Sequence, residues 1–152
     1  MDEKKVLERL QRGCVRSEQC TQAVRAKALK ALEGDREAAE RVVQSLLQDG
    51  FVDDARYSAA FAREKASLQG WGPVKIRFML RGKGIADEII DAALAEVDPE
   101  KAESKLDRLV VAKYRQLEGD PQWKLKLLKY ALGRGYDYDE VSAAVARCQP
   151  KG

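Results

Sequence analysis

The chain repeats itself. Lys75, Ile76, Lys83, Gly84 and Ile85 have counterparts 51 residues later in Lys126, Leu127, Arg134, Gly135 and Tyr136. The match continues from Ile90, Ala93 and Leu94 to Val141, Ala144 and Val145. In both copies a basic segment ends in a Gly-x-Gly turn, then comes an apolar residue, then an acidic start. A weaker copy lies in the first third, with Val24 at the place of Ile76 and Val42 at the place of Leu94. A unit this short cannot bury its own apolar faces well, so each must lean on its neighbour.

Within each copy the period is helical, because apolar residues recur at three and four. Val6, Leu7 and Leu10 predict a short first helix. Val24, Ala28, Leu29 and Leu32 predict a second, with Ser17 as its N-cap and an end near Gly34. Ala38, Ala39, Val42, Val43, Leu46 and Leu47 suit a third, stopped by Asp49-Gly50. Asp53 or Asp54 would cap a fourth that carries Tyr57, Phe61 and Ala62. Pro73 fits the first turn of a fifth, where its missing N–H is no loss; Ile76, Met79 and Leu80 are its apolar side. Ile85, Ile89, Ile90, Ala93 and Leu94 form a sixth, and Asp98-Pro99 opens a longer seventh with Leu106, Leu109, Val110 and Tyr114. Two more follow around 125–132 and 141–145. The expected fold is all-α: three tandem three-helix repeats over 1–50, 51–98 and 99–152, forming an elongated, curved array.

Charge follows the same repeat. Over 152 residues the formal net charge is only +3. Yet 71–83 holds Lys75, Arg77, Arg81 and Lys83 with no acid, and 121–136 holds Lys124, Lys126, Lys129 and Arg134 with none. The window 19–32 holds Arg25, Lys27 and Lys30, again without an acid. These are the middle helices of the three repeats. The segment 85–98 is the reverse, with Asp87, Glu88, Asp91, Glu96 and Asp98 and no base. One such helix is an ordinary solvated face. Three equivalent ones, stacked in register, make a basic stripe suited to a polyanion or an acidic protein groove.

Several classes fall away. The chain has no histidine, which removes Ser-His-Asp and Cys-His catalysis and every His-containing metal site. No phosphate-binding loop of the Walker type is present. Cys14, Cys20 and Cys148 make no CxxC pair, so no zinc knuckle or dithiol redox site is expected; they read as buried or half-buried free thiols. No metal and no cofactor is expected, and the chain reads as a non-enzyme. Asp2 and Glu3 open the chain without an apolar run, and no stretch approaches ~18 uninterrupted apolar residues. No membrane association is expected, and the location that remains is the cytoplasm. Trp71 and Trp123 stand at the entries of basic helices and read as hydrophobic anchors in preference to stacking platforms. Tyr57 and Phe61 read as core, and Arg56 as a mainly structural partner of Asp53 or Asp54.

Two segments within 46–94 carry a resemblance. GFVDDARYSAAFAREKA has a Gly-hydrophobic-Asp-Asp, Arg-aromatic, Phe signature, and GWGPVKIRFMLRGKGI has Gly-aromatic-Gly-Pro, Lys-Ile-Arg, Leu and Lys-Gly. Together they resemble the RecX family, bacterial regulators of the recombinase RecA. Arg16-Ser17 and ALGRGYDYDEV extend the likeness more loosely to the ends. The first repeat departs from the pattern: Gln19-Cys20-Thr21 replaces an expected Glu-Leu pair, and the loop at Glu33-Gly34 is spaced differently. The resemblance implies tandem three-helix repeats that bind the RecA–single-stranded DNA filament in its helical groove. It implies restraint of filament growth, ATP hydrolysis and strand exchange, within homologous recombination, DNA repair and the SOS response. On this reading the contact residues are Lys75, Arg77, Arg81, Lys83, Lys124, Lys126, Lys129 and Arg134, with Arg25, Lys27, Lys30 and Arg56 in a second tier. The partner is the RecA filament, with weak direct DNA contact as an addition, and the chain is expected to be a monomer. A helical-repeat DNA-binding protein that acts without RecA is the competing reading.

Overall fold

The computed structural model describes residues 2–148. Met1 and residues 149–152, the outer ends assigned to the first and third repeats, lie outside the described residues. Among the described residues there are nine helices and no strand. They are α1 (Glu3–Arg16), α2 (Thr21–Ala31), α3 (Arg36–Gln48), α4 (Asp54–Ser67), α5 (Pro73–Gly82), α6 (Asp87–Ala95), α7 (Pro99–Gln116), α8 (Trp123–Gly133) and α9 (Tyr138–Cys148). None is long and apolar enough to cross a membrane.

The helices pack in threes, each three around its own core, and the units follow one another in a row. Val6, Leu10, Val24, Val43 and Leu46 close the first. Ala62, Ile76, Leu80, Ile90 and Ala93 close the second, and Leu106, Val110, Leu127, Val141 and Val145 the third. Paired repeat positions are buried alike: Ile76 with Leu127, Ile85 with Tyr136, Ile90 with Val141. Phe51 and Val52 pack into the first core, because both backbone N–H groups donate to the Leu46 carbonyl and fold that segment back onto α3.

Local chemistry sets most of the helix ends. Asp2, Asp35, Asp53 and Asp98 each accept a backbone N–H of their own helix, at Lys5, Ala38, Arg56 and Glu100. Pro73 and Pro99 occupy first turns. Two expectations need correction. The first helix is not short, since Asp2 caps it early and it runs to Arg16. Ser17 does not cap α2; it ends α1, donating its N–H to the Gly13 carbonyl, and Cys20 takes the N-cap position. Cys20 offers no capping side chain. Asp54 supplies one from 33 residues away, accepting the Thr21 N–H at 2.8 Å.

Candidate functional site

The three middle helices stand head to tail. Gly135, in the turn after α8, accepts the Val74 N–H at the start of α5 at 2.9 Å. Gly84, in the turn after α5, lies against Gln22 at the start of α2, so close that a Cβ there would sit 3.4 Å from the Gln22 amide. The order is therefore α8, α5, α2, each C-terminus meeting the next N-terminus, which is a favourable alignment of helix dipoles. Their 11, 10 and 11 residues amount, at about 1.5 Å per residue, to roughly 50 Å of acid-free helix.

Many of the candidate cations on this line already have partners. Arg77 meets Asp91 of α6 at 2.7 Å and Arg81 meets Asp87 at 2.8 Å. Arg25 makes a two-pronged contact with Glu40 of α3 at 3.0 Å. Lys27 donates to the Gln19 amide oxygen at 2.6 Å, and Lys126 reaches Asp120 at 2.6 Å. The hydrogen bond from Arg81 holds the Asp87 carboxyl below its ordinary range, and Arg25 and then Gln44 do the same for Glu40. In the first two repeats, then, the basic second helix is answered by the acidic third. These pairs are solvent-exposed and worth little, so an incoming anion can exchange with them. Lys75 and Lys83 lie over aromatic rings, Lys75 Nζ at 4.4 Å from the Trp71 ring centroid and Lys83 Nζ at 5.8 Å from that of Phe61. Lys30, Lys124 and Lys129 are exposed and pair with no carboxylate among the described residues.

Two candidates belong to the joints. Arg134 is half-buried between the second and third units; its guanidinium donates to the Gln69 carbonyl and its Nε is buried. Arg56 does not pair with the Asp53 or Asp54 carboxylate. Its backbone N–H caps onto Asp53, while its guanidinium meets Glu18 at 2.6 Å and donates to the Gly50 and Phe51 carbonyls. The two most distinctive sequence segments are thus joints. Of the Asp-Asp pair, Asp53 caps its own helix and Asp54 caps that of the previous repeat. In Gly-Trp-Gly-Pro, the Gly70 carbonyl accepts the Tyr136 hydroxyl at 3.2 Å and the Gly72 N–H donates to the Arg134 carbonyl at 2.8 Å. A Cβ at Gly72 would lie 2.6 Å from the Tyr136 nitrogen, so only glycine permits this backbone-to-backbone approach.

The tryptophans are anchors. Trp71 packs edge-on against Phe61, and Trp123 against Tyr114 with centroids 5.1 Å apart. Tyr57 stacks on Phe61. Cys14 and Cys20 are buried and Cys148 is half-buried, all as free thiols; burial pushes Cys14 and Cys148 above the ordinary thiol value.

Charge counting misses the exposed apolar residues. Phe78 is 73% exposed, Val74 54%, Leu125 50% and Leu132 39%. Met79, assigned to the apolar side of α5, sits at its edge at 36% exposure. The signal was available: 74 and 78 fall off the 76–80 stripe that faces the core.

A family model described as "RecX, second three-helix domain" matches residues 53–94. The regulatory protein RecX of Mycolicibacterium smegmatis is 33% identical over 70% of this chain and 62% of its own length. That of Clostridium acetobutylicum is 33% identical over 74% of this chain and 55% of its own length. The chain thus spans somewhat over half the length of these curated relatives. In three dimensions it is similar to a crystal structure of RecX from Lactobacillus salivarius, with a TM-score of 0.84 at 18% identity over 96% of both chains. A second crystal structure of the regulatory protein RecX also gives 0.84, at 23% identity over 95% of this chain and 71% of that one.

Proposed function

The chain belongs to the RecX family, and from that premise we propose that it is a non-enzymatic regulator that binds the RecA–single-stranded DNA filament and restrains it. The observation that carries this reading is the head-to-tail line of α8, α5 and α2. A row of three units with one continuous acid-free line can follow a groove and touch more than one filament subunit. A bound regulator shifts a filament only through differential affinity for its states. Bridging adjacent subunits supplies that difference wherever the states differ in the spacing of the subunits bridged. The free cations of the line, Lys124, Lys129 and Lys30, make first contact. Arg77, Arg81 and Arg25 follow by exchanging their internal carboxylates for external ones. The chain acts as a monomer in the cytoplasm, with the three repeats as its working units, Phe51 and Val52 belonging to the first.

The test is DNA-dependent RecA ATPase at substoichiometric protein. Inhibition is expected, and Lys124→Glu with Lys129→Glu should weaken it at least tenfold with unchanged helical content by circular dichroism. Absence of inhibition at every ratio would leave the fold without this function.

A further inference from the structure

The outward ridge of the middle helices is mixed, not simply basic. Val74, Phe78 and Arg81 occupy positions i, i+4 and i+7 of α5, one face of the helix. Leu125, Lys129 and Leu132 occupy the same three positions of α8, each 51 residues on. Each helix therefore presents two apolar residues and one cation outward, while Ile76, Leu80, Leu127 and Ala131 face the cores. The two ridges adjoin, since the Val74 N–H bonds to Gly135, three residues after Leu132. In the first repeat the equivalent positions hold Gln22, Ala26 and Leu29, and Leu29 is packed against the first core, so the apolar strip ends there.

We infer that this strip on α5 and α8 is a protein-docking surface that takes an apolar knob rimmed by carboxylates, and that the filament is gripped through its recombinase subunits, not its DNA. The inference rests on the function proposed above and names the partner chemistry of the same face. Three observations favour protein over nucleic acid. Phosphates are held by cations and gain nothing from Val74, Leu125 or Leu132, whereas a partly desolvated aromatic beside arginine is what protein interfaces concentrate. Neither 71–83 nor 121–136 contains an acid, so the two helices that carry the strip bring only cations to it. Arg77, Arg81 and Lys126 are held by Asp91, Asp87 and Asp120 in exposed, exchangeable pairs, while Lys124 and Lys129 stand free among the described residues to meet a carboxylate rim. Of the rings that a single-stranded nucleic acid could stack upon, Trp71 and Trp123 are packed internally on Phe61 and Tyr114, and the strip exposes Phe78 alone, where stacking of successive bases needs a row of rings.

The experiment compares the full chain with a Phe78→Ser, Leu125→Ser double variant and, separately, with Lys129→Glu. Binding is measured by anisotropy to the RecA filament on single-stranded DNA and to the same DNA alone, across a salt series. Both serines sit at exposed positions, and circular dichroism checks that helical content is kept. The double variant should lose at least tenfold in filament affinity and nothing on bare DNA. Lys129→Glu should weaken filament binding at low salt and less at high salt. Wild-type filament affinity retained by both variants would overturn the inference and leave the regulatory reading standing. An equal loss on bare DNA would make the strip a nucleic-acid surface, and a wild-type dimer abolished by the double variant would make it a self-association surface; either overturns the inference. A wild-type chain that binds no filament would overturn both readings.

Discussion

Gly72 is the residue on which the joint between the second and third units turns. Its φ of −83° is ordinary for any amino acid, so substitution there carries no backbone penalty. The cost of a side chain is steric alone: a Cβ would meet the Gly135 carbonyl carbon at 2.5 Å and the Tyr136 nitrogen at 2.6 Å, both rigid backbone atoms. Overpacking of this kind costs about 1–3 kcal/mol, and here it would also strain the bonds from Gly72 to Arg134 and from Val74 to Gly135. Gly82 is the control. It lies in the last turn of α5 with open space where a Cβ would go, so alanine there gains up to about 1 kcal/mol from the unfolded chain's lost freedom. Gly72→Ala should therefore lower the melting temperature by about 2–12 °C, while Gly82→Ala leaves it level or raises it. Equal melts for the two variants would show that the units are not held by this backbone contact.

Between helices, charge acts through exposed pairs whose pH dependence has one sign. Glu3, Glu40, Asp87 and Asp120 are held below their ordinary values by hydrogen bonds from Arg41, Arg25, Arg81 and Lys126 respectively. A carboxyl whose value is depressed by folding stabilises the fold above its unfolded value and loses that contribution as pH falls through the folded one. The unfolded values are near 4.5 for glutamate and 3.8 for aspartate, and the chain has no histidine to titrate above them. Glu140, raised by burial and by Asp137, works in the opposite sense, but it is one group against four, so thermal stability should be nearly flat from about pH 8 to 5 and fall below that, less steeply in high salt. A decline already complete by pH 6 would assign acid sensitivity to some other group. What was legible in the sequence divides at the same scale. Helix existence, the Asp53 and Asp98 caps, Pro73 in a first turn and the acid-free middle helices all follow from residues within a turn or two of one another. Ser17 is not the cap of α2, because Asp54 fills that role from 33 residues away. Arg134 is indistinguishable in sequence from the other cations of its helix, because its partner Gln69 lies 65 residues earlier. The exposure of Val74 and Phe78 is hidden in the sequence, because apolar residues on the outer face of a helix look like those of the core stripe at Ile76 and Leu80 until the packing is known.

Across the whole molecule the two joints are built differently, and the array should open accordingly. The joint between the second and third units is backbone on backbone at Gly72 and Gly135, with Tyr136 bonded to Gly70 and α4 packed on α7. The joint between the first and second depends on side chains: Arg56 on Glu18 and on the Gly50 and Phe51 carbonyls, Asp54 on Thr21, and Cys20 seated in the second core. In a repeat array, stability is a sum of unit and neighbour terms, and the weaker neighbour term sets which unit opens first. Arg56→Ala removes one exposed ion pair and two bonds to carbonyls, a loss of about 1 kcal/mol. Native-state hydrogen exchange on the full chain should show protection of α1 to α3 falling roughly fivefold in this variant, with α7 to α9 unchanged. Equal loss in all nine helices would mean that the three units open as one, and the side-chain joint would then be no weaker than the backbone one. If the first unit does open alone, filament contact should survive its opening. The apolar strip lies wholly on α5 and α8, on the side of the array that the Gly72–Gly135 contact holds together.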